Sequence, residues 1–371
     1  MKLCLITSEY PPVIGGIASH VFELARALSA KGVTVTVVHP VAPGTVQGGA
    51  ESYNFNVLRP EIIRSKPFYD FALQRYLRKL QREHRFDLIH VHGVRPLAAT
   101  KGLELPVVFT NHSSGFLARH HAGFIRKLRT RRLLAHVDAL IGPSDELVES
   151  AQFFGYRGPA HMIANGVDDE RFTPGEGTKR KAWNVSENDT VILLARRLVF
   201  KNGVIGFAEA VAQMSATNFR IVIAGDGPDR AAMTEIFDKA GRLDRCLFLG
   251  RISNTDMPDI FRSADVSVLP SLAEATSIAG LEAMASGLPL VGTNVGGIPT
   301  IIADGVTGLI VPPRDPRALA EALDKLCADK DRRKKMGHAA RARVEAEFSW
   351  PKIADETRHV YDACLKNHSP A

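Results

Sequence analysis

Apolar residues fall into short blocks along the chain, and the spacing inside and between the blocks predicts a repeating order of strands and helices. LCLIT (3–7) and VTVTVV (33–38) are short, β-branched and apolar, as strands buried on both faces of a parallel sheet should be. Between them Val21, Leu24, Ala25 and Leu28 recur at helical spacing from Ala18 to Lys31, and Gly32 closes that helix. This is a βαβ unit. LIHVHG (88–93), PVVFTNH (106–112) and ALIGPS (139–144) predict further strands with helical stretches between them. Strand and helix therefore alternate through the first half, which implies a parallel sheet covered on both faces.

The pattern breaks near Val167. NGVDDERFTPGEGTKRKAW is rich in Gly, Asp and Pro and has no apolar period, so it reads as a linker and a hinge. A second alternation follows: TVILLA (190–195), the helical GVIGFAEAVAQM (203–214), RIVIAGDG (220–227), CLFLGR (246–251), VSVLPS (266–271), PLVGT (289–293) and GLIVPP (308–313). The expected organisation is a first doubly wound α/β domain over residues 1–170 and a second over 171–350. A last helix, in 351–371, is expected to pack back on the first domain. Such sheets bind ligands outside the carboxyl ends of their strands, so the residues there matter most.

Composition narrows the function classes. With 45% apolar and 23% charged residues over 371 positions, the chain reads as an ordinary globular protein. Cys4, Cys246, Cys327 and Cys364 are scattered and form no CxxC pair, which argues against a zinc ribbon and suits a reducing compartment. The apolar run in MKLCLITSEYPP is too short for a secretory h-region, so a cytoplasmic location is expected. Net charge is +7, and the excess is clustered. Arg119, His120, His121, Arg126, Lys127, Arg129, Arg131 and Arg132 fall in one acid-free stretch, and Arg75, Arg78, Lys79, Arg82 and Arg85 recur in a helical one. Solvated helix faces are one reading. The other is an anionic partner such as a phosphorylated acceptor or the inner face of a membrane. Only Tyr76 and Phe124 fall among these charges, too few for a run of stacking platforms, so nucleic acid is not expected.

Candidate chemistry sits at the predicted strand ends. Gly15 and Gly16, after Pro11-Pro12, let the backbone approach a ligand at a helix N-terminus, where an anion is favoured. The first turn lacks G-x-G-x-x-G, and its only approximation, from Gly225 to Arg230, carries Arg where a small residue is needed; a nicotinamide enzyme is a weak reading. Arg196, Arg197 and Lys201 follow a buried strand, where cations converging on a cleft would neutralise a leaving diphosphate. Glu274 and Glu282 lie on either side of a predicted helix N-terminus, with Glu282 in an apolar run that makes a carboxylate costly unless it binds something. On one continuous helix they would stand about 12 Å apart, beyond the range of either glycosidase carboxylate pair. With Glu274 on the loop, the backbone N–H groups of Thr276, Ser277 and Ile278 could cradle phosphate while each glutamate accepts from ligand hydroxyls. His90 and His92 alternate on one strand without an evident third ligand, and Asp329-Lys330-Asp331 lies in a charged helical stretch. No metal site is expected.

YPPVIGG, NGVD, ARRLVFKNG, AGDGP, FLGR and EATSIAGLEAMASGLPLVGTNVGGIPTII followed by GVTGLIVPP resemble the large retaining glycosyltransferase family 4 across nearly the whole chain. The resemblance implies the GT-B architecture, α/β with two Rossmann-like domains facing across a cleft. It implies that Glu274 binds the transferred sugar, Glu282 the nucleotide ribose, and Arg197 and Lys201 the diphosphate. It brings Gly16 to the diphosphate from the opposite domain and His112 near the sugar and acceptor, with closure about the linker. Base contacts fall on backbone around Ile252. Two departures stand out. Arg197 and Lys201 are one residue closer together than is usual in the family, which makes Arg196 an alternative partner. Thr276 and Ser277 replace the common aromatic and glycine after the first glutamate.

The expected activity is retaining sugar transfer from a nucleotide sugar to a sugar, lipid-linked or metabolite acceptor, with no metal or other cofactor. The alternatives are an epimerase or phosphorylase of the same architecture, in which donor would be consumed without acceptor, and a non-catalytic sugar-binding protein.

Overall fold

The computed structural model describes residues 1–12, 16–45, 53–63, 65, 68–112, 123–186 and 188–368. Gly15, Arg119, His120 and His121 lie outside the described residues. The chain divides into two compact units, one of Met1–Asn165 with Trp350–Ala371 and one of Gly166–Ser349.

In the first unit the described strands are β1 (Lys2–Thr7), β2 (Thr34–Val38), β3 (Asn56–Leu58), β4 (Leu88–His92), β5 (Val107–Thr110), β6 (Ala139–Gly142) and β7 (Ala160–Met162). They form one sheet in the order β3-β2-β1-β4-β5-β6-β7, and each neighbouring pair is parallel. Leu3 pairs with Leu88 and Thr7 with His92, so β1 and β4 are central and mark the point where strand order reverses. Helices α1 (Gly16–Ala30), α2 (Phe68–His84), α3 (Val94–Leu97), α4 (Phe124–Leu134) and α5 (Asp145–Phe153) connect the strands. Because side chains alternate along a strand, Leu3 and Leu5 pack with Val21, Leu24 and Leu28 of α1, whereas Cys4 and Ile6 pack with Leu73 and Leu77 of α2. The C-terminal helix, Trp350–His368, joins the α1 face through Ile353, Ala354, Val360 and Tyr361. Its amphipathic spacing buries one stripe and leaves the other to water.

The second unit repeats the plan. Strands β8 (Thr190–Ala195), β9 (Phe219–Ala224), β10 (Cys246–Gly250), β11 (Val266–Leu269), β12 (Leu290–Thr293) and β13 (Gly308–Val311) lie in the order β10-β9-β8-β11-β12-β13, again parallel. Its helices are α6 (Val204–Gln213), α7 (Arg230–Lys239), α8 (Met257–Arg262), α9 (Ile278–Ala285), α10 (Ile298–Ile301), α11 (Pro316–Ala328) and α12 (Lys330–Arg343). Ile192, Leu194, Ile221 and Ile223 build the core against Phe207 and Val211 of α6 and Leu323 of α11. Here strand order reverses between β8 and β11.

The Gly- and Pro-rich stretch after Gly166 belongs to this second unit. Phe172 and Trp183 are buried, Phe172 meets Phe261 edge-on at 5.9 Å, and Thr178 and Arg180 bind the carboxylates of Asp259 and Asp265. Asp329 serves the fold, since its carboxylate accepts from Arg332 N at 2.8 Å and so caps α12.

Candidate active-site residues at the strand ends

Arg196 and Arg197 follow β8 directly, and hydrogen bonds to the end of β9 fix the path there. Arg196 N donates to Ala224 O and Leu198 N to Asp226 O, both at 3.0 Å. The approach is so close that a Cβ at Gly225 would stand 1.8 Å from the Arg196 carbonyl oxygen, which gives this glycine a steric reason of its own.

The two arginines part at this point. Arg197 is exposed, and its carbonyl accepts from Asn202 Nδ2 at 2.7 Å. Arg196 turns inward, donating from Nη1 to Ser271 Oγ at 2.5 Å and from Nη2 to Glu274 Oε2 in an ion pair whose side chains are only 9% and 16% exposed. Ser271 Oγ also donates to Glu274 Oε2 at 3.3 Å. The loop carrying Glu274 is held on both sides: Thr293 Oγ1 donates to Ser271 O at 2.6 Å, and Gly297 N donates to Glu274 O at 3.2 Å. A Cβ at Gly297 would reach 1.9 Å from Ala275 O, so only glycine allows this contact. Lys201 is exposed, and its carbonyl accepts from Leu272 N at 2.9 Å, which ties the lysine's backbone to the same loop. Arg196, Lys201 and Glu274 are therefore brought together at the β8/β11 reversal, where an open sheet offers its ligand crevice.

Glu274 is followed by α9. Ser277 caps this helix, its Oγ accepting from Gly280 N at 3.2 Å. The first N–H groups of any helix lack intrahelical acceptors and carry the positive end of its dipole, so Thr276, Ser277 and Ile278 open an anion-favouring terminus beside Glu274. Glu282 lies within α9 among buried Leu281, Ala283 and Met284. Burial pushes its carboxyl up to about 7, with the charge of Arg171 acting in the opposite direction. A carboxyl raised in this way is one whose charge the surrounding fold does little to stabilise. Ile252 is half-buried in the loop after β10.

In the first unit, Gly16 opens α1 and the strand ends gather imidazoles. His92, at the end of β4, has Nδ1 at 2.9 Å from Nε2 of His112, just beyond β5. His20 of α1 is buried against both, with its ring 4.5 Å from that of His112 and its Nδ1 at 3.0 Å from Asn165 Oδ1. His20 thus supplies the third imidazole that the sequence pattern did not reveal, and one nitrogen of each of the three lies within 4.8 Å of the others. Three neutral imidazoles are a donor set that a divalent transition ion could take. Two of those rings already hydrogen-bond to each other, and His92 Nε2 is buried with no acceptor or donor among the described residues. His90 is engaged differently: Nδ1 meets Tyr361 Oη and Nε2 meets Thr110 Oγ1, both at 2.6 Å, so it ties β4 to the C-terminal helix. At the same sheet edge a small cavity of about 170 Å3 is lined by Ser8, Glu9, Pro40, Tyr69 and Arg95.

Burial holds His90, His92 and His112 well below the ordinary histidine value and brings His20 down to about 4. The folded chain therefore refuses protons that the unfolded chain accepts below its ordinary value of 6.5. Stability should be on a plateau above that pH and fall below it, by up to about 1.4 kcal/mol per pH unit for each histidine. Urea unfolding at pH ~7.5 and ~5.5 should show a large loss at the lower pH, with His90→Gln or His20→Gln reducing the slope. A flat profile would contradict a buried neutral cluster.

Comparison with known proteins bears on the family and the fold. Residues 14–171 match the family model described as Glycosyltransferase Family 4, and residues 176–343 match Glycosyl transferases group 1. A solved sucrose-phosphate synthase from Thermosynechococcus elongatus superposes with a TM-score of 0.80 at 23% identity over 99% of both chains. HepE from Anabaena, solved in complex with UDP, superposes with a TM-score of 0.81 at 19% identity over 98% of this chain and 100% of its own. Those likenesses establish the GT-B fold. In sequence the chain is 28% identical to a glycogen synthase of Mycobacterium tuberculosis over 99% of this chain and 95% of that protein. It is 27% identical to a GDP-mannose-dependent phosphatidylinositol monomannoside mannosyltransferase of the same organism, over 95% of this chain and 96% of that one. The chain belongs to the group 1, family 4 glycosyltransferases.

Proposed function

We propose that the protein transfers a sugar from a nucleoside diphosphate sugar to an acceptor hydroxyl, with retention at the anomeric carbon and without a metal ion. The observation that carries this reading is the pair of glutamates flanking one helix terminus. Glu274 is fixed by Arg196 and Ser271, and Glu282 is held near neutrality with no charge partner in hydrogen-bonding reach among the described residues. A sugar at Glu274 and a ribose at Glu282 would set the diphosphate at the α9 terminus between them, beside Lys201 and Arg197. HepE has been solved with UDP-glucose, which supports a nucleotide sugar as the ligand class.

In this mechanism the bond from C1 to the phosphate oxygen breaks as the acceptor oxygen approaches the same face. The acceptor proton passes to the departing phosphate oxygen, and positive charge builds on the sugar ring. The chain's own contribution is to hold the sugar at Glu274 and to neutralise the leaving diphosphate with Lys201, Arg197 and the α9 amides. His112, with its neighbours His92 and His20, offers neutral hydrogen-bonding groups for the sugar or the acceptor. Activity should persist in EDTA. Loss of activity in EDTA, restored by zinc, would instead assign the three imidazoles to a metal.

Glu282 provides a separate test. Ribose hydroxyls donate to a carboxylate, so binding favours the charged form and lowers its pKa in the complex. Nucleotide affinity should therefore rise with pH up to about 7 and level off above it, weakening by up to tenfold per pH unit below. The nucleotide's own phosphate titrates near pH 6, so Glu282→Gln serves as the baseline. Calorimetry from pH ~5.5 to ~8.5 should show a steeper dependence for the native chain than for the variant, and identical profiles would contradict the ribose role.

A further inference from the structure

Two helices of the first unit carry apolar side chains exposed to water at their N-terminal ends and cations along the rest of their outer faces. In α4 Phe124 is 79% and Ile125 67% exposed, and Arg126, Arg129, Arg131 and Arg132 follow as exposed residues in a helix with no acid. In α2 Phe68 is 66% and Phe71 67% exposed. Arg75, Arg78, Lys79 and Arg82 continue that face at helical spacing, with Glu83 pairing to Lys79 at 3.8 Å. Both helices pack on the same side of the sheet, since Leu73 and Leu77 of α2 and Leu134 of α4 share one core.

Topology fixes where the apolar tips lie. The strands on either side of each helix are parallel, so each helix runs back from the carboxyl edge of the sheet and begins there. Phe68, Phe71, Phe124 and Ile125 therefore stand at the same edge as the histidine cluster and the small cavity lined by Tyr69 and Arg95. A soluble anionic partner would account for the cations and leave the large exposed apolar groups without a use. A lipid surface uses both, taking apolar tips into the acyl boundary and cations at its phosphates.

We propose that this edge of the first unit docks on the surface of an anionic bilayer, with the Phe68/Phe71 and Phe124/Ile125 tips inserted and the cations of α2 and α4 on lipid phosphates. Docking so arranged turns the strand ends of the first unit toward the membrane, from which a lipid-linked acceptor could be taken. The inference goes beyond the transfer reaction itself and needs no turnover to be tested.

The test is sedimentation of the full chain with vesicles of phosphatidylcholine alone and of phosphatidylcholine with about one third phosphatidylglycerol. Binding is expected only to the anionic vesicles, and it should weaken as salt shortens the screening length below ~8 Å. Arg126→Gln, Arg129→Gln and Arg132→Gln together should weaken it about a hundredfold, at roughly fivefold per cation. Removing the same number of cations from α12 by Arg332→Gln, Lys334→Gln and Lys335→Gln should leave it unchanged. Phe124→Ser with Ile125→Ser should weaken the part of the binding that survives high salt, and adding Phe68→Ser with Phe71→Ser should abolish it. The proposal is overturned by equal sedimentation with neutral and anionic vesicles, by no sedimentation with either, or by equal losses from the α4 and α12 variants. Single-stranded RNA bound in preference to vesicles would overturn it too. Nucleotide binding, measured alongside on the same variants, reports on the second unit and separates failure here from failure of the transfer reading.

Discussion

Glu274→Ala should lower the rate of sugar transfer by about 10²–10³-fold or more, while binding of a bare nucleoside diphosphate falls much less. The magnitude is that of losing one preorganised group that acts on the transition state. The split follows from the proposed arrangement, in which Glu274 meets the sugar end of the ligand. The substitution also strands Arg196, whose side chain is 9% exposed and whose carboxylate partner is gone. Breaking a buried pair from one side costs about 3 kcal/mol. The variant should therefore unfold at a lower urea concentration, and activity must be measured where it remains folded. Glu274→Gln keeps a hydrogen-bond acceptor for Arg196 and should recover most of the stability without the activity. Recovery of both would mean that Glu274 serves the fold alone.

The second large effect is expected at Lys201. Its side chain is exposed beside the Glu274 loop, and its backbone carbonyl is engaged by Leu272 N, so alanine removes a cation without disturbing a buried contact. Lys201→Ala should mainly lower kcat, by about 10²–10³-fold, because the charge on the diphosphate develops as the glycosidic bond breaks. Stability should change little. A defect confined to KM would show that the lysine binds ground and transition states equally. Arg197→Ala tests the second exposed cation of this strand end in the same way, and a loss of kcat comparable to that of Lys201→Ala is expected if both meet the diphosphate.

Much of this architecture is legible in the amino-acid sequence because strands buried on both faces are continuous apolar runs. β1 and β8 are of that kind. The edge strands β3 and β7 are not legible: each has three residues, half-buried or exposed, and nothing in NVL or AHM distinguishes strand from loop. At the site, Glu274, Glu282, Arg196 and Lys201 are legible because charged residues directly after apolar strands need a reason to be there. The choice between Arg196 and Arg197 is not, since adjacent arginines differ only in which way the chain turns, and hydrogen bonds from β9 decide that. His20 escaped because a lone helical histidine carries little signal. The available clue was its place on the stripe His20, Leu24 and Leu28, where a polar residue on a buried face needs a partner. The His90–Tyr361 bond joins residues 271 apart and could not be read from local pattern at all.

The most direct test of the central claim is calorimetric titration of the native chain, Glu274→Ala and Glu282→Ala with a panel of nucleoside diphosphates and their sugar conjugates. The account predicts that the native chain binds one nucleotide series, and that its sugar conjugate binds more tightly than the bare diphosphate. Glu274→Ala should erase that difference, and Glu282→Ala should weaken both ligands alike. Absence of binding to any member of the panel, or the same defect in both glutamate variants, would contradict it.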